Sequence, residues 1–171
     1  PMPPFKSHQG KPLICLTNGR LLGEVKDIYL DANCSRVTAV FVRQEGLLNR
    51  KTFAVDRAKI QVLGIDAWLV SAPEAVTELG AIGGSDLFIQ AGALRGRELH
   101  TDGGTKLAVV DDVILDGDGN VTGFTLGRLF VQGPLAERKT IARAAISSFG
   151  NKDAPMITTM AKAEAMDTPT A

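Results

Sequence analysis

The feature of this sequence that most constrains its fold is an internal duplication. Residues 22–42 read as an apolar segment, a turn rich in Asp and Asn, and a second apolar segment, and residues 107–126 repeat that order. Asp27 aligns with Asp112, and a turn shorter by one residue keeps the following segments in register. Apolar segments joined by a short polar turn predict a β-hairpin. The chain is therefore predicted to contain two structural units of the same kind.

The similarity extends on both sides of each hairpin. Upstream, residues 10–13 match residues 96–99, and downstream, residues 50–54 match residues 138–142. Each copy spans about 65 residues, and two copies are too few for a solenoid. We therefore predict two small domains, with boundaries at residues 10–73 for the first, 74–93 for a linker, 94–160 for the second and 161–171 for a flexible tail.

Each copy is predicted to be an antiparallel β-structure. Short apolar strands separated by turns at intervals of about 8–12 residues are typical of sandwiches and barrels. A barrel is favoured for so short a segment, because closure removes exposed strand edges. Eight apolar residues recur at a spacing of two and are assigned to the barrel interiors: Ile28, Leu30, Val40, Val42, Val113, Leu115, Phe124 and Leu126.

The opposite face of the third strand differs between the copies. Phe41 lies on that face, and its counterpart in the second copy is Thr125. Two interpretations are open. Either the rest of its own chain covers Phe41, or this face is a contact surface between the repeats or with a partner.

The amino-acid composition limits the classes of protein to which this chain can belong. The 171 residues are 44% hydrophobic and 22% charged, which is enough apolar side chain for a buried core. Positive and negative charges balance, which argues against a general nucleic-acid binder but leaves a local basic patch open. No apolar run approaches the ~20 residues that span a bilayer. The first ten residues lack the apolar segment of a signal peptide, and the alternative is a signal peptide that has already been removed.

The two cysteines bear on the redox compartment. Cys15 and Cys34 show no metal-ligand spacing and are interpreted as reduced thiols, with a disulfide between them as the alternative. Reduced thiols and the lack of a membrane span predict a cytoplasmic protein.

The pattern Leu22-Gly23-x-Val25-x-Asp27-Ile28-x-Leu30-Asp31 resembles the recurrent element of the PRC-barrel family, small β-barrels named after the photosynthetic reaction-centre H subunit. The second copy keeps Asp112 and Asp116 but has Ala108 where the pattern expects Gly. The resemblance implies an all-β fold made of two tandem small antiparallel PRC-type barrels with a short connecting segment.

The resemblance also carries a functional expectation. The family consists of adaptor modules rather than catalysts, and it includes the C-terminal part of a ribosome-maturation factor that contacts a ribosomal protein. It therefore implies a non-enzymatic adaptor that binds another protein or a second copy of itself. The alternative is a factor of RNA metabolism or ribosome assembly.

No residue pattern points to catalysis or to a metal. Residues 116–120 resemble the start of a calcium loop, but Val121 and Gly127 occupy the positions that require Gly and Glu. Asp27 and Asp31 would lie about 13 Å apart along a strand, too far to act on one substrate atom, so we assign them to turn and strand-end hydrogen bonds. We expect no enzyme activity, no cofactor and no metal site.

The loops that follow the two hairpins are the candidate partner sites. Basic residues flank apolar ones in both loops. The plainer interpretation is solvated strand ends. The functional one is a binding rim in which apolar side chains bury area and basic groups steer an acidic partner. The candidate residues are Phe41, Arg43, Leu47, Leu48, Arg50, Arg128, Leu129, Phe130, Leu135 and Arg138.

Overall fold

The structure is a computed structural model, and it describes residues 4–165. Strands take up 46% of the described residues, whose two α-helices are short, which confirms the all-β prediction. Within the described residues the strands form three sheets, and none of these sheets closes into a barrel. The chain divides into two compact units: the first-repeat unit (residues 7–90 with 117–119) and the second-repeat unit (residues 4–6, 91–116 and 120–165).

The first-repeat unit contains two sheets, with strand orders β2-β1-β7-β6 and β8-β5-β4-β3-β9. All neighbours pair antiparallel except β1 and β7, which pair parallel. The strands are β1 Pro12–Cys15, β2 Leu21–Glu24, β3 Asp27–Leu30, β4 Val37–Glu45, β5 Lys51–Asp56, β6 Ile60–Leu63, β7 Trp68–Val70, β8 Val76–Glu78 and β9 Ile89–Gln90.

The second-repeat unit has one five-stranded sheet of order β13-β12-β11-β10-β14, and β10 and β14 are its parallel pair. Its elements are β10 Glu98–Thr101, β11 Lys106–Leu115, β12 Val121–Leu129, α1 Pro134–Arg138, β13 Thr140–Ala142, β14 Met156–Thr158 and α2 Met160–Ala165. Short 3₁₀ turns at Phe5–His8, Arg57–Lys59, Pro73–Ala75, Leu79–Ala81, Ser85–Leu87, Ala91–Leu94 and Arg143–Ala145 connect elements along the chain.

The two predicted hairpins are present in the same register. Ile28 pairs with Val40 across β3 and β4, and Val113 pairs with Phe124 across β11 and β12. The eight residues assigned to the interior all lie buried, with exposures between 0% and 5%. The spacing of two therefore identified the core face of each hairpin correctly.

The apolar segment that opens the first hairpin is interrupted in the first repeat. It forms β2 and β3, separated by Val25 and Lys26, whereas its counterpart β11 is continuous. Gly23 adopts a φ of +152°, and a Cβ at this position would lie 2.7 Å from Cγ1 of Val42. Glycine thus allows β2 to approach β4 more closely than a residue with a side chain would permit. Ala108 takes the same place in the unbroken strand, where it is fully buried.

The segment predicted as a linker, residues 74–93, is built into the units. Within it, β8 pairs with β5 and β9 pairs with β3. Leu79, Ile82 and Phe88 pack on the cluster that contains Tyr29 and Phe41. Residues 74–90 therefore complete the first-repeat unit, because they cover an apolar face that the short strands leave open.

The predicted flexible tail, residues 161–171, overlaps a helix. Residues 161–165 belong to α2, in which Ala163 is fully buried. Residues 166–171 lie outside the described part of the chain. The tail prediction therefore differs from the structure over residues 161–165, where helix packing was not visible in the composition.

Candidate interaction site

The most exposed apolar side chains of the described residues lie at the end of the β4–β5 hairpin. We call residues 46–49 the leucine tip. Leu47 and Leu48 are both 96% exposed. Gly46 turns the chain with a φ of +95°, and a Cβ there would lie 2.6 Å from the Asn49 carbonyl oxygen. The turn is thus tight, and it holds two adjacent leucines in water.

Three basic residues surround the leucine tip. Arg43 donates from Nε to Glu45 at 2.9 Å, and its guanidinium lies 4.5 Å from the centre of the Phe53 ring. Lys51 pairs with Glu78 at 3.3 Å. Arg50 donates only to the neutral side chain of Gln44, at 3.2 Å, and forms no ion pair within residues 4–165. The charge of Arg50 therefore remains available to an acidic partner.

The corresponding loop of the second repeat is arranged differently. Phe130 is 39% exposed, and the cations of Arg128 and Lys106 lie 5.0 Å and 5.3 Å from its ring centre. Leu129 is half-buried at the end of β12. These contacts hold Phe130 against its own unit, so it offers less free apolar area than the leucine tip.

Leu135 and Arg138 stabilise the fold of the second repeat. Leu135 is buried in α1, at 1% exposure, and α1 packs against α2. Arg138 donates from Nη2 to the carbonyl of Ala163 in α2, at 2.6 Å. Because Leu135 is a core residue, we correct the expectation that it contributes surface area to a partner.

Phe41 is covered by its own chain. Its ring lies 6.4 Å from the ring of Tyr29 in an edge-on arrangement, within the cluster formed by Leu79, Ile82 and Phe88. Of the two interpretations, coverage by the chain itself is the one that the structure supports. Phe41 is half-buried and lies beneath the connecting segment.

The repeated aspartates have structural roles, as predicted. In the turns, the Asp31 carboxylate accepts from the Ser35 amide at 2.6 Å and also from the Ser35 hydroxyl. Asp116 accepts from the amide and the side chain of Asn120, at 2.8 Å and 3.0 Å. These bonds close the two polar turns.

The other pair of aspartates is buried. Asp27 accepts from the Ile28 amide at 2.8 Å and from Nε2 of Gln90 at 2.8 Å. Asp112 accepts from the amides of Val113 and Lys6, at 2.8 Å and 2.7 Å. Burial raises the pKa of Asp112, and the two amide hydrogen bonds oppose that effect. The donors Gln90 and Lys6 lie outside the two hairpins, so the alignment of the two copies does not predict these hydrogen bonds.

His8 is a core residue of the first-repeat unit. It is 4% exposed, and its ring lies 5.5 Å from the ring of Trp68. Lys11 Nζ lies 3.0 Å from His8 Nδ1. Burial, together with the nearby charge of Lys11, lowers the pKa of His8 to about 4.

No group of His, Cys, Asp and Glu within residues 4–165 is arranged to hold a metal ion. In the same residues, no helix has the length and apolar character needed to cross a membrane. Comparison with protein-family models found no match, and a search among curated proteins found none either.

Proposed function

We propose that this chain is a non-enzymatic adaptor, made of two PRC-type modules, that binds another protein or a second copy of itself through the leucine tip. The observation that carries the proposal is the 96% exposure of both Leu47 and Leu48. Fully burying a leucine side chain is worth about 1.5–3 kcal/mol. Two adjacent leucines in a partner's pocket would therefore supply several kcal/mol towards binding.

The contrast between the repeats supports the same assignment. In the second repeat, Leu135 is buried in α1, which packs against α2, whereas Leu47 and Leu48 of the first repeat are exposed to water. Arg50 adds a charge without an ion pair beside them. Apolar area bordered by a basic group fits a partner whose surface is apolar in the centre and acidic at the rim.

The test is affinity capture from the native lysate, with and without nuclease, by the wild-type chain and by the Leu47→Ser/Leu48→Ser variant. The matched control is Ile65→Ser/Leu87→Ser, which changes two other exposed apolar residues of the same unit, at 87% and 66% exposure. Each captured protein is then purified, and its direct binding is measured by calorimetry. Light scattering of the chain alone measures self-association.

The proposal predicts a partner, or self-association, that survives nuclease, is lost in the leucine-tip variant and is retained in the control. Both variants should keep the wild-type free energy of unfolding to within about 0.5 kcal/mol, because exposed side chains contribute little to stability. Ribosomal proteins that disappear after nuclease treatment would favour the ribosome-assembly alternative. Equal capture by all three chains would refute the leucine tip as the site.

A further inference from the structure

Within residues 4–165 no strand pairs with the outer edge of β2, although β4 passes close to it, whereas the same edge is paired in the second repeat. Ala108 of β11 pairs with Leu99 on one side and with Leu129 on the other. Its counterpart Gly23 pairs with Leu13 alone, and β2 is the terminal strand of its sheet. An open edge offers backbone N–H and C=O groups to any strand that can approach it.

The second repeat shows what fits against this edge. There, β12 runs antiparallel to β11, and the Phe130 amide beyond its end donates to the Leu107 carbonyl at 2.9 Å. In the first repeat, β4 continues instead into its hairpin with β5 and the leucine tip. The first repeat thus has β2 as the counterpart of the first part of β11, but it has no paired counterpart of the end of β12.

Leu21 and Leu22 of β2 line a cleft of about 330 Å³, together with Arg43 of β4. Leu21, Leu22 and Val76 form its apolar lining, and Arg20 and Arg43 form its charged lining. Leu21 is 64% exposed, so the cleft has apolar surface that a ligand can reach. Arg43 is paired with Glu45, but the Arg20 guanidinium forms no ion pair within residues 4–165. The cleft therefore combines apolar surface with an excess of positive charge.

We infer that an extended, acidic segment of another protein adds to the outer edge of β2 as an antiparallel strand. It takes the place that the end of β12 occupies in the second repeat, and its carboxylates meet Arg20 and Arg43. Main-chain hydrogen bonds supply affinity in this mode of recognition, and the cleft supplies specificity. The inference rests on the proposed adaptor function and names the chemistry of its partner.

The test tethers the ligand to the full chain, because an intramolecular segment acts at a raised effective concentration and makes weak pairing visible. A long Gly/Ser linker is added at the C-terminus, ending in a short segment of alternating Val and Glu. One control chain ends in alternating Val and Lys, and another carries the linker alone. Amide chemical shifts and hydrogen exchange of β2 are measured by NMR.

We expect the Val/Glu segment to shift and protect the amides of β2, while the Val/Lys segment and the bare linker do not. Arg20→Glu should reduce the bound-to-free ratio about tenfold, because an attraction becomes a repulsion. Lys152→Glu makes the same change of charge in the second-repeat unit and should leave the ratio unchanged. Among residues 4–165, Arg20 forms hydrogen bonds only through its backbone amide and carbonyl, so its replacement should not disturb folding.

Three outcomes would overturn the inference. They are an absence of shifts in β2 with the Val/Glu segment, equal shifts with the Val/Lys segment, and shifts in the bare-linker chain that grow with protein concentration. The last outcome would assign the edge to a second copy of the chain. None of these readouts uses the natural partner or the leucines, so failure here leaves the capture experiment to decide the adaptor proposal separately.

Discussion

Gly23→Ala should destabilise the first-repeat unit far more than a single methyl group suggests. The new Cβ would lie 2.7 Å from Cγ1 of Val42, a core residue that is 2% exposed. A forced overlap of this kind costs about 1–3 kcal/mol. The φ of +152° adds a backbone penalty of about 1–3 kcal/mol for any residue other than glycine. Together, a loss of about 2–6 kcal/mol in the free energy of unfolding is expected.

Two further variants separate these contributions. Val42→Ala removes the atom that the new Cβ would strike, so the double variant should lose only the backbone part, about 1–3 kcal/mol, relative to Val42→Ala alone. Ala108→Gly makes the reverse change in the second repeat. It should cost about 1 kcal/mol for the flexibility of glycine, together with the loss of one buried methyl group.

Urea unfolding followed by the fluorescence of Trp68 measures these differences in the first-repeat unit. Trp68 is the single tryptophan of the chain, and it is fully buried in that unit. Ala108→Gly is followed by circular dichroism, because the second-repeat unit has no tryptophan. If Gly23→Ala costs less than about 1 kcal/mol, the close approach of β2 to Val42 is not what requires glycine. Strict additivity in the double variant would show that the two side chains do not meet.

Two buried side chains, His8 and Leu135, give the other predictions. Between pH 6.5 and 4, His8 binds a proton in the unfolded chain, at its ordinary pKa, but not in the folded chain, where its pKa is about 4. The free energy of unfolding therefore falls as the pH is lowered through this range, by about 3 kcal/mol in total. Urea unfolding against pH should show this loss in the wild type and not in His8→Gln, and equal pH profiles would contradict it. Leu135→Ala should destabilise the second-repeat unit by about 2–5 kcal/mol, since it opens a cavity in the core. Hydrogen exchange in β12 and β13 measures that effect, and a loss below about 0.5 kcal/mol would mean that Leu135 is not packed.

The sequence predicted best what depends on local periodicity. Apolar residues at a spacing of two identified the core faces of both hairpins, and the polar turns at Asp31 and Asp116 were assigned correctly. The helical turn at Arg57–Lys59 is equally local, because the Asp56 side chain caps it by accepting from the Ala58 amide at 3.0 Å. These features arise from neighbours in sequence, so a single sequence contains the information they require.

Features set by distant contacts were missed. The connecting segment reads as a linker because its glycines and short apolar stretches show no periodicity, yet β8 and β9 complete a sheet. Leu135 reads like the leucines of the first loop, but α2, which lies about 25 residues later in the chain, packs against its helix. Whether the basic residues of either loop meet a partner stays a prediction.

The differences between the repeats explain why we place the proposed partner sites in the first one. A duplicated fold begins with the same exposed groups in both copies, and each copy must cover them or leave them available. The second repeat pairs both edges of β11 and buries Leu135. Within the described residues, the first repeat leaves the outer edge of β2 unpaired and the leucine tip exposed, and Arg43 lines the cleft at β2. An open strand edge and exposed leucines are hazards for aggregation in a free protein. Their occurrence together in one repeat is best accounted for by a partner that covers both.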